Sequence, residues 1–334
     1  MDNTTFNWAG QRVLITGAGG FICSHLAEAL VRRGAHVRAF IRYTSRADKG
    51  LLNDLPPKVL DQIEVIAGDL RDQSTVKEAC RDVTHIFHLG ALIAIPYSYL
   101  HPAEVVETNV IGTMNILLAA RELNVERIIH TSTSEVYGTA RSVPIPETHP
   151  LQGQSPYSAS KIAADKIAES FFCAYGLPIV TVRPFNTYGP RQSARAVIPT
   201  IITQSLTQDK IHLGNLAPRR DLAYVDDTVN GFLQAGSSDG VIGETFNLGA
   251  NEEISIGDLA QTIIRLINRP VQITTDPQRL RPERSEVLRL WSDNRKAKER
   301  LGWSPEVSLE TGLRHTIEWI SKHLDRYQIG KYAV

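Results

Sequence analysis

The chain has 334 residues, long enough to bury a large core and to form two lobes. Its 36 basic and 36 acidic residues cancel, so no overall charge favours nucleic acid or an anionic membrane as a partner. The cysteines Cys23, Cys80 and Cys173 show neither paired nor metal-ligand spacing, which predicts unpaired thiols and no metal site. No secretion signal or membrane-spanning run is visible, so we expect a cytoplasmic protein.

Short β-branched runs alternate with amphipathic stretches through the first half of the chain. This rhythm is typical of βαβ units and predicts an α/β protein with a Rossmann-like, doubly wound parallel sheet. The predicted strands are Arg12–Thr16, His36–Arg42, Ile63–Ala67, His85–Leu89, Arg127–Thr133 and Ile179–Arg183. The stretch Pro102–Leu123 predicts a helix whose Asn109 segment packs near the site.

The rhythm gives way after Pro184 to a loop-rich segment, 185–220, and returns in 222–227 and 244–249. We therefore predict a dinucleotide-binding domain of residues 1–184 and 221–250. A smaller, discontinuous α/β lobe, 185–220 plus 251–334, would bind the substrate, with the ligand in the cleft between the two. The mixed-charge run 279–300 is interpreted as a charged helix face and not as an RNA-binding stripe.

A glycine-rich turn follows the first strand, in the sequence Gly17-Ala-Gly-Gly20-Phe21-Ile22. Such a turn lets a pyrophosphate approach the backbone amides at the start of a helix. The spacing fits G-x-x-G-x-x-G, with Cys23 in place of the third glycine. That side chain either displaces the helix and weakens cofactor binding or is simply tolerated.

Two later positions bear on the choice of dinucleotide. Arg42 ends the second strand, at a position where NAD sites usually carry an acidic residue. An arginine there favours NADP, whose 2′-phosphate it could bind. The alternatives are that Arg42 stacks on the adenine or faces solvent. Asp69 and Leu70 follow the third strand. Asp69 is placed to accept a hydrogen bond from the adenine amino group, unless it only caps the next helix.

The segment Tyr157-x-x-x-Lys161 places a phenol and an amine one helical turn apart, after the N-terminal cap signal Ser155-Pro156. The ammonium can then stabilise the phenolate that takes a hydroxyl proton during hydride transfer. The same spacing recurs at Tyr327 in the polar tail, which we interpret as an exposed helix end.

The fifth predicted strand ends in Thr133-Ser134-Glu135. An enzyme that only oxidises or inverts a carbinol needs no base here, whereas one that also removes a proton beside a new ketone does. Glu135 is the candidate for that base. A salt bridge or a helix cap is the alternative role.

Taken together, these motifs resemble those of the extended short-chain dehydrogenase/reductases that modify nucleotide sugars. The resemblance runs from about residue 11 to 305. Its carriers are the glycine turn, Gly68-Asp-Leu70, His88-Leu-Gly-Ala91, Thr133-Ser-Glu135, Tyr157 with Lys161, Arg183-Pro-Phe-Asn-Thr-Tyr-Gly-Pro-Arg191, Arg220-Asp-Leu-Ala-Tyr-Val-Asp226 and Leu301-Gly-Trp303. Within that group, Thr-Ser-Glu resembles the 4,6-dehydratases. The segments 95–99, 152–157 and 193–200 are most similar to the UDP-N-acetylglucosamine 4,6-dehydratases of legionaminic acid pathways.

The resemblance implies a reaction in which Tyr157, with Thr133, takes the C4 hydroxyl proton, Glu135 removes the C5 proton, water leaves C6 and the hydride returns to C6. NAD or NADP would therefore stay tightly bound and be recycled within each turnover. Ser134 stands where dTDP-glucose dehydratases carry an aspartate, although GDP-mannose dehydratases share the serine. The group that protonates the departing oxygen is thus left open.

For the substrate, the implied contacts to a nucleotide-diphosphate sugar are Asn186, Arg191, Arg220 and Arg281. The family also implies a homodimer through the helices that carry Asn109 and Tyr157. The nucleotide base, the C2 substituent and the C5 configuration of the product stay open. The alternatives are a UDP-glucuronate decarboxylase, a 4-epimerase and a non-catalytic regulator that binds the cofactor.

Overall fold

The structure, a computed structural model, describes residues 6–327. The strands are β1 (Arg12–Thr16), β2 (His36–Arg42), β3 (Ile63–Gly68), β4 (His85–His88), β5 (Arg127–Thr131), β6 (Ile179–Pro184), β7 (Asn186–Tyr188), β8 (Lys210–Leu213), β9 (Arg219–Arg220), β10 (Leu222–Tyr224), β11 (Thr245–Leu248), β12 (Ile254–Ser255), β13 (Gln272–Thr275) and β14 (Arg289–Leu290).

The helices are α1 (Phe21–Arg32), α2 (Pro57–Leu60), α3 (Gln73–Ala79), α4 (Ile95–Leu100), α5 (Pro102–Val106), α6 (Gly112–Glu122), α7 (Pro156–Tyr175), α8 (Val197–Thr207), α9 (Val225–Ser237), α10 (Ile256–Ile267), α11 (Arg295–Leu301) and α12 (Leu309–Lys322). Short 3₁₀ segments cover Gly50–Asp54, Ser134–Tyr137, Pro277–Arg279, Glu283–Ser285 and Leu324–Arg326.

The main sheet has seven strands in the order β11-β6-β5-β4-β1-β2-β3, and every neighbouring pair is parallel. Helices α1 and α9 pack on one face, and α3, α6 and α7 on the other. The predicted doubly wound parallel sheet is therefore confirmed. The six predicted strands are present, although β5 ends at Thr131 because Thr133 caps the 3₁₀ segment that follows.

The predicted helix over Pro102–Leu123 forms as α5 and α6 joined by a π-helical segment, Glu107–Ile111. π-helical turns widen a helix locally and are frequent at functional sites. This one contains Asn109, whose side-chain amide donates to the Leu92 carbonyl and to the Ser160 hydroxyl. Asn109 thus joins this helix to α7 beside Lys161, as the sequence predicted.

The segment 185–220 is not simply loop-rich, since it contains α8. Its sequence is dense in β-branched residues, which disfavour helices by intrinsic propensity. Most of α8 is nevertheless buried, and it packs against α10 and α12, so tertiary contacts override propensity. Small sheets pair β8 with β13, and β9 with β12 and β14, joining the two predicted parts of the second lobe. The proposed domain boundaries themselves stay a prediction.

Two other expectations were wrong. The run 279–300 is not one helix face, because Pro282 interrupts it and β14 pairs with β9. It contains a short 3₁₀ segment, Glu283–Ser285, and its only α-helix is α11 at its end. Tyr327 is buried rather than exposed, and its hydroxyl donates to the Gln192 carbonyl. Lys331, the second member of that motif, lies outside the described residues.

None of the helices between residues 6 and 327 has the length and apolar composition needed to cross a bilayer.

Candidate active site

The glycine turn between β1 and α1 packs closely against the backbone of two other segments, those of Gly90 and Lys49. Gly17 has a φ of +69°, and a side chain there would place its Cβ 2.7 Å from Gly90 Cα. A Cβ at Gly19 would lie 2.9 Å from the Lys49 carbonyl oxygen. Gly20 is the N-cap residue of α1 and has no side chain that could cap the helix. The backbone amides of the first turn, including those of Phe21 and Ile22, therefore have no capping side chain. The residues present therefore fit the pyrophosphate of a dinucleotide.

Cys23 fills the position of the third glycine without interrupting α1. Its side chain is buried and its thiol donates weakly to the Thr16 carbonyl, with an Sγ···O distance of 3.8 Å. The helix still begins at Phe21 and packs on the sheet. The structure therefore favours the alternative in which Cys23 is tolerated at this position, and not the one in which it displaces α1.

We expect one fast-reacting thiol in the native protein. Cys173 is exposed, whereas Cys23 and Cys80 are buried, and burial raises the pKa of both to about 12. Because the thiolate is the reactive form, a maleimide should label Cys173 quickly and the other two only after unfolding. Mass spectrometry of labelled protein measures this. A rapidly labelled cysteine in a Cys173→Ser variant would contradict it.

The predicted dinucleotide contacts after β2 and β3 have partners in the protein. Arg42 pairs with Glu104, at an Nη2···Oε1 distance of 3.4 Å. Asp69 accepts two hydrogen bonds from the Arg71 guanidinium, which hold the pKa of its carboxyl below the ordinary value. The next helix is capped by Asp72, which excludes the capping alternative for Asp69. Leu70 is buried close to Gly90.

Tyr157 and Lys161 lie on the inner face of α7. Both are buried, and the side chain of Thr133 lies close enough to the Tyr157 hydroxyl to affect its pKa. Burial, reinforced by the charge of Glu135, raises the pKa of Tyr157, although Thr133 opposes the rise. Burial also lowers the pKa of Lys161 to about 8, and its amine donates to the Thr131 carbonyl at 2.6 Å. In the protein without cofactor, Lys161 therefore does not lower the pKa of Tyr157 below its ordinary value.

The 3₁₀ segment that carries Ser134 and Glu135 turns directly after β5. Thr133 caps it by accepting a hydrogen bond from the Glu135 amide at 3.3 Å, and Ser134 is buried in its first turn. The Glu135 carboxylate is half-buried between Tyr157 and Arg220, close enough to affect the pKa of each. Within the described part of the chain it forms neither an ion pair nor a side-chain hydrogen bond. The salt-bridge alternative for Glu135 is therefore not what the structure shows.

Arg220 and Arg281 come together around an acid that sequence reasoning missed, Glu286. Its Oε1 lies 3.4 Å from Arg220 Nη2 and 3.8 Å from Arg281 Nη1, and that Nη1 is buried without a hydrogen-bond partner. Asn186 also has a buried side-chain oxygen without a partner. Since Glu286 sits in a run of mixed charge, no local pattern distinguished it.

Arg191 has a different environment from the other two arginines. Its guanidinium donates to Glu28 Oε2 at 2.6 Å and lies 3.4 Å from the Ser24 hydroxyl, both on α1. The side chain is 11% exposed. The structure therefore places Arg191 as a link between the segment after β7 and α1, and not in the cluster around Glu286.

A buried charged network, also missed from the sequence, lies one turn beyond Lys161. Asp165 accepts hydrogen bonds from His130 Nε2 at 3.0 Å, from the Ser132 hydroxyl at 2.7 Å and from Arg183 Nη2 at 3.1 Å. Although burial opposes ionisation, these cationic and polar partners hold the pKa of Asp165 below its ordinary value. The four-residue spacing from Tyr157 through Lys161 to Asp165 was the available signal.

The chain is similar in sequence to several enzymes that act on nucleotide sugars. Residues 14–316 match the family model described as GDP-mannose 4,6 dehydratase. The dTDP-D-glucose 4,6-dehydratase of Mus musculus is 32% identical over 97% of this chain and 92% of its own. The UDP-glucose 4-epimerase of Mycolicibacterium smegmatis is 33% identical over 92% and 98% of the two chains. The UDP-N-acetyl-alpha-D-glucosaminuronate decarboxylase of Bacillus cytotoxicus is 33% identical over 92% and 97%.

Among solved structures, DesIV, a dTDP-glucose 4,6-dehydratase from Streptomyces venezuelae with NAD and TYD bound, superposes with a TM-score of 0.83. It is 30% identical, and the match covers 95% of this chain and 99% of that one. The dehydratase, the epimerase and the decarboxylase are thus about equally similar to this chain.

Proposed function

Because the chain belongs to the GDP-mannose 4,6 dehydratase family of nucleotide-sugar enzymes, we propose that it is a nucleotide-sugar 4,6-dehydratase. The observation that carries this proposal is the Glu135 carboxylate, half-buried beside Tyr157 and left without an ion pair or a side-chain hydrogen bond among residues 6–327. A carboxylate without a protein partner beside the proposed C4 base can act as the base that removes a proton next to a ketone. The product would be the 4-keto-6-deoxy sugar.

In this proposal the proton transfers are divided among the side chains of the site. Tyr157 accepts the C4 hydroxyl proton while the neighbouring Thr133 donates a hydrogen bond to the same oxygen. The C5 proton, made acidic by the C4 ketone, passes to Glu135, and the C6 oxygen takes up a proton and leaves as water. When the hydride reaches C6, a proton exchanged with solvent is added at C5. The glycine turn and Lys161 would hold a nicotinamide dinucleotide, which would supply the hydride acceptor for C4 and the hydride donor for C6. Glu135 and Ser134 are the two candidates to protonate the departing C6 oxygen.

Tyr157 must be ionised to act as a base. An ordinary tyrosine pKa is about 10, so ionisation near pH 7 asks for roughly 4 kcal/mol of stabilisation, and burial raises this requirement. Lys161, one helical turn away, and the positive charge of an oxidised nicotinamide are the available cations. The buried position of Lys161 supports that role.

We assign the substrate diphosphate to Arg220 and Arg281, with Asn186 as a further polar contact. The arginines are adjacent, and the Arg281 nitrogen without a hydrogen bond is available to an anion. We propose UDP-N-acetylglucosamine as the substrate, on the resemblance of segments 95–99, 152–157 and 193–200 to the dehydratases of legionaminic acid pathways.

We also propose a homodimer through the helices of 102–122 and 156–175. Val106, Ile111 and Tyr175 are exposed there at 44%, 39% and 51%. Exposed apolar side chains on packed helices are typical of an interface. Sedimentation velocity would test this assembly.

A decarboxylase acting on a UDP-uronate and a 4-epimerase are the alternatives within the family, since one relative of each kind is about 33% identical. A 4-epimerase does not require a base at Glu135. A non-catalytic regulator would not require Tyr157, Lys161, Thr133 and Glu135 together.

The deciding experiment is incubation in heavy water with UDP-N-acetylglucosamine, UDP-glucose, GDP-mannose, dTDP-glucose and UDP-glucuronate separately, followed by mass and NMR analysis. Loss of one water with deuterium at C5 supports the dehydratase and names its substrate. Loss of carbon dioxide from UDP-glucuronate alone would overturn it in favour of the decarboxylase. An unchanged mass with inverted C4 would identify an epimerase.

A further inference from the structure

The end of β2 carries a charged cluster whose composition bears on cofactor choice. Arg42, the last residue of β2, is 66% exposed in its side chain and pairs with Glu104 Oε1 at 3.4 Å. Glu104 comes from α5, far along the chain. Its second oxygen, Oε2, accepts a hydrogen bond from the Tyr97 hydroxyl at 2.5 Å. The Tyr97 ring packs on His101, with 4.5 Å between centroids, so Glu104 is held in place.

The second guanidinium in the cluster is also engaged. Arg71 donates twice to Asp69 and lies 3.6 Å from Glu107 Oε2. The cluster therefore holds three carboxylates, those of Asp69, Glu104 and Glu107, against two guanidiniums. Its net charge is negative by one.

This charge lies where the two dinucleotides differ. In a sheet of this kind, the residue at the end of β2 faces the adenosine ribose, whose 2′ position is a hydroxyl in NAD and a phosphate in NADP. A phosphate monoester carries about −1.5 to −2 charges and needs guanidinium donors that are free. A neutral hydroxyl can instead donate to a carboxylate. The surroundings of Arg42 suit the hydroxyl.

We propose that Glu104 makes the enzyme select NAD over NADP, by occupying the Arg42 guanidinium and by adding a negative charge at the 2′ position of the ribose. The inference rests on the proposed function, because it assigns the dinucleotide to the glycine turn. It reverses the preference for NADP that Arg42 alone suggests, since the sequence places Glu104 sixty-two positions from Arg42 and gives no sign that they meet.

The test is dinucleotide binding, measured by calorimetry on the full chain stripped of nucleotide, with NAD⁺ and NADP⁺ in turn. We expect the wild type to bind NAD⁺ at least about tenfold more tightly. Glu104→Gln should tighten NADP⁺ binding about tenfold by releasing Arg42, with little change for NAD⁺. Adding Arg42→Ala to Glu104→Gln should remove that gain.

Glu107→Gln is the matched control, because it deletes the same charge from the adjoining turn but from the partner of Arg71 instead of Arg42. It should change the NADP⁺ affinity less than about threefold. A wild type that prefers NADP⁺, a Glu104→Gln variant with unchanged selectivity, or equal shifts in the two variants would each overturn the proposal. No sugar is present in the assay, so failure of the proposed dehydratase activity would appear separately, as binding without turnover.

Discussion

Glu135→Gln leaves C4 oxidation intact and stops the reaction at the ketone. Glutamine keeps the size of the side chain but cannot take the C5 proton, and loss of a positioned base typically slows its step by about 10²–10⁴-fold. Glu135 has no ion pair among the described residues, so the substitution breaks no salt bridge. The expected result is a bound cofactor that becomes reduced on adding nucleotide sugar, seen by its near-ultraviolet absorbance, with no 4-keto-6-deoxy product.

Tyr157→Phe is the matched control, since it removes the other proposed base while preserving shape. This variant should lose cofactor reduction as well as dehydration, because C4 oxidation itself requires the phenolate. The two variants together separate the two proton transfers. Dehydration at the wild-type rate in Glu135→Gln would rule out Glu135 as the base.

Asp165→Asn should lower the free energy of unfolding by about 3–5 kcal/mol, the usual effect of removing one partner from a buried ion pair. Asp165 and Arg183 are both 6% exposed, and His130 and Ser132 also donate to this carboxylate. Asparagine would leave the Arg183 charge buried and uncompensated. Urea denaturation of the two proteins measures the difference.

Glu169→Gln provides the comparison, because Glu169 lies one turn further along α7 and pairs with Lys166 at the surface, with side chains 58% and 62% exposed. Exposed pairs of this kind contribute about 0–1 kcal/mol, so this variant should be nearly as stable as the wild type. Equal losses in the two variants would show that the buried network around Asp165 is not the source of the effect.

Much of the site could be predicted because its residues are close in sequence and belong to regular elements. The glycine turn follows β1 directly, and Thr133 to Glu135 follow β5. Tyr157 and Lys161 share one helix face. In a parallel sheet the carboxyl ends of the strands lie at the same edge. Residues that directly follow a predicted strand are therefore expected to lie near one another, and local sequence patterns are enough to predict this.

The parallel sheet, the glycine turn and the grouping around Tyr157 were predictable because periodicity and short spacings encode them. The partner of each charged side chain was not predictable, since it depends on contacts that form on folding. Arg191 pairs with Glu28, Arg220 with Glu286, and Arg42 with Glu104. Each of these pairs joins residues far apart in the chain. The local sequence around a charged residue does not indicate its partner, because the two meet only when folding brings them within a few ångströms of each other.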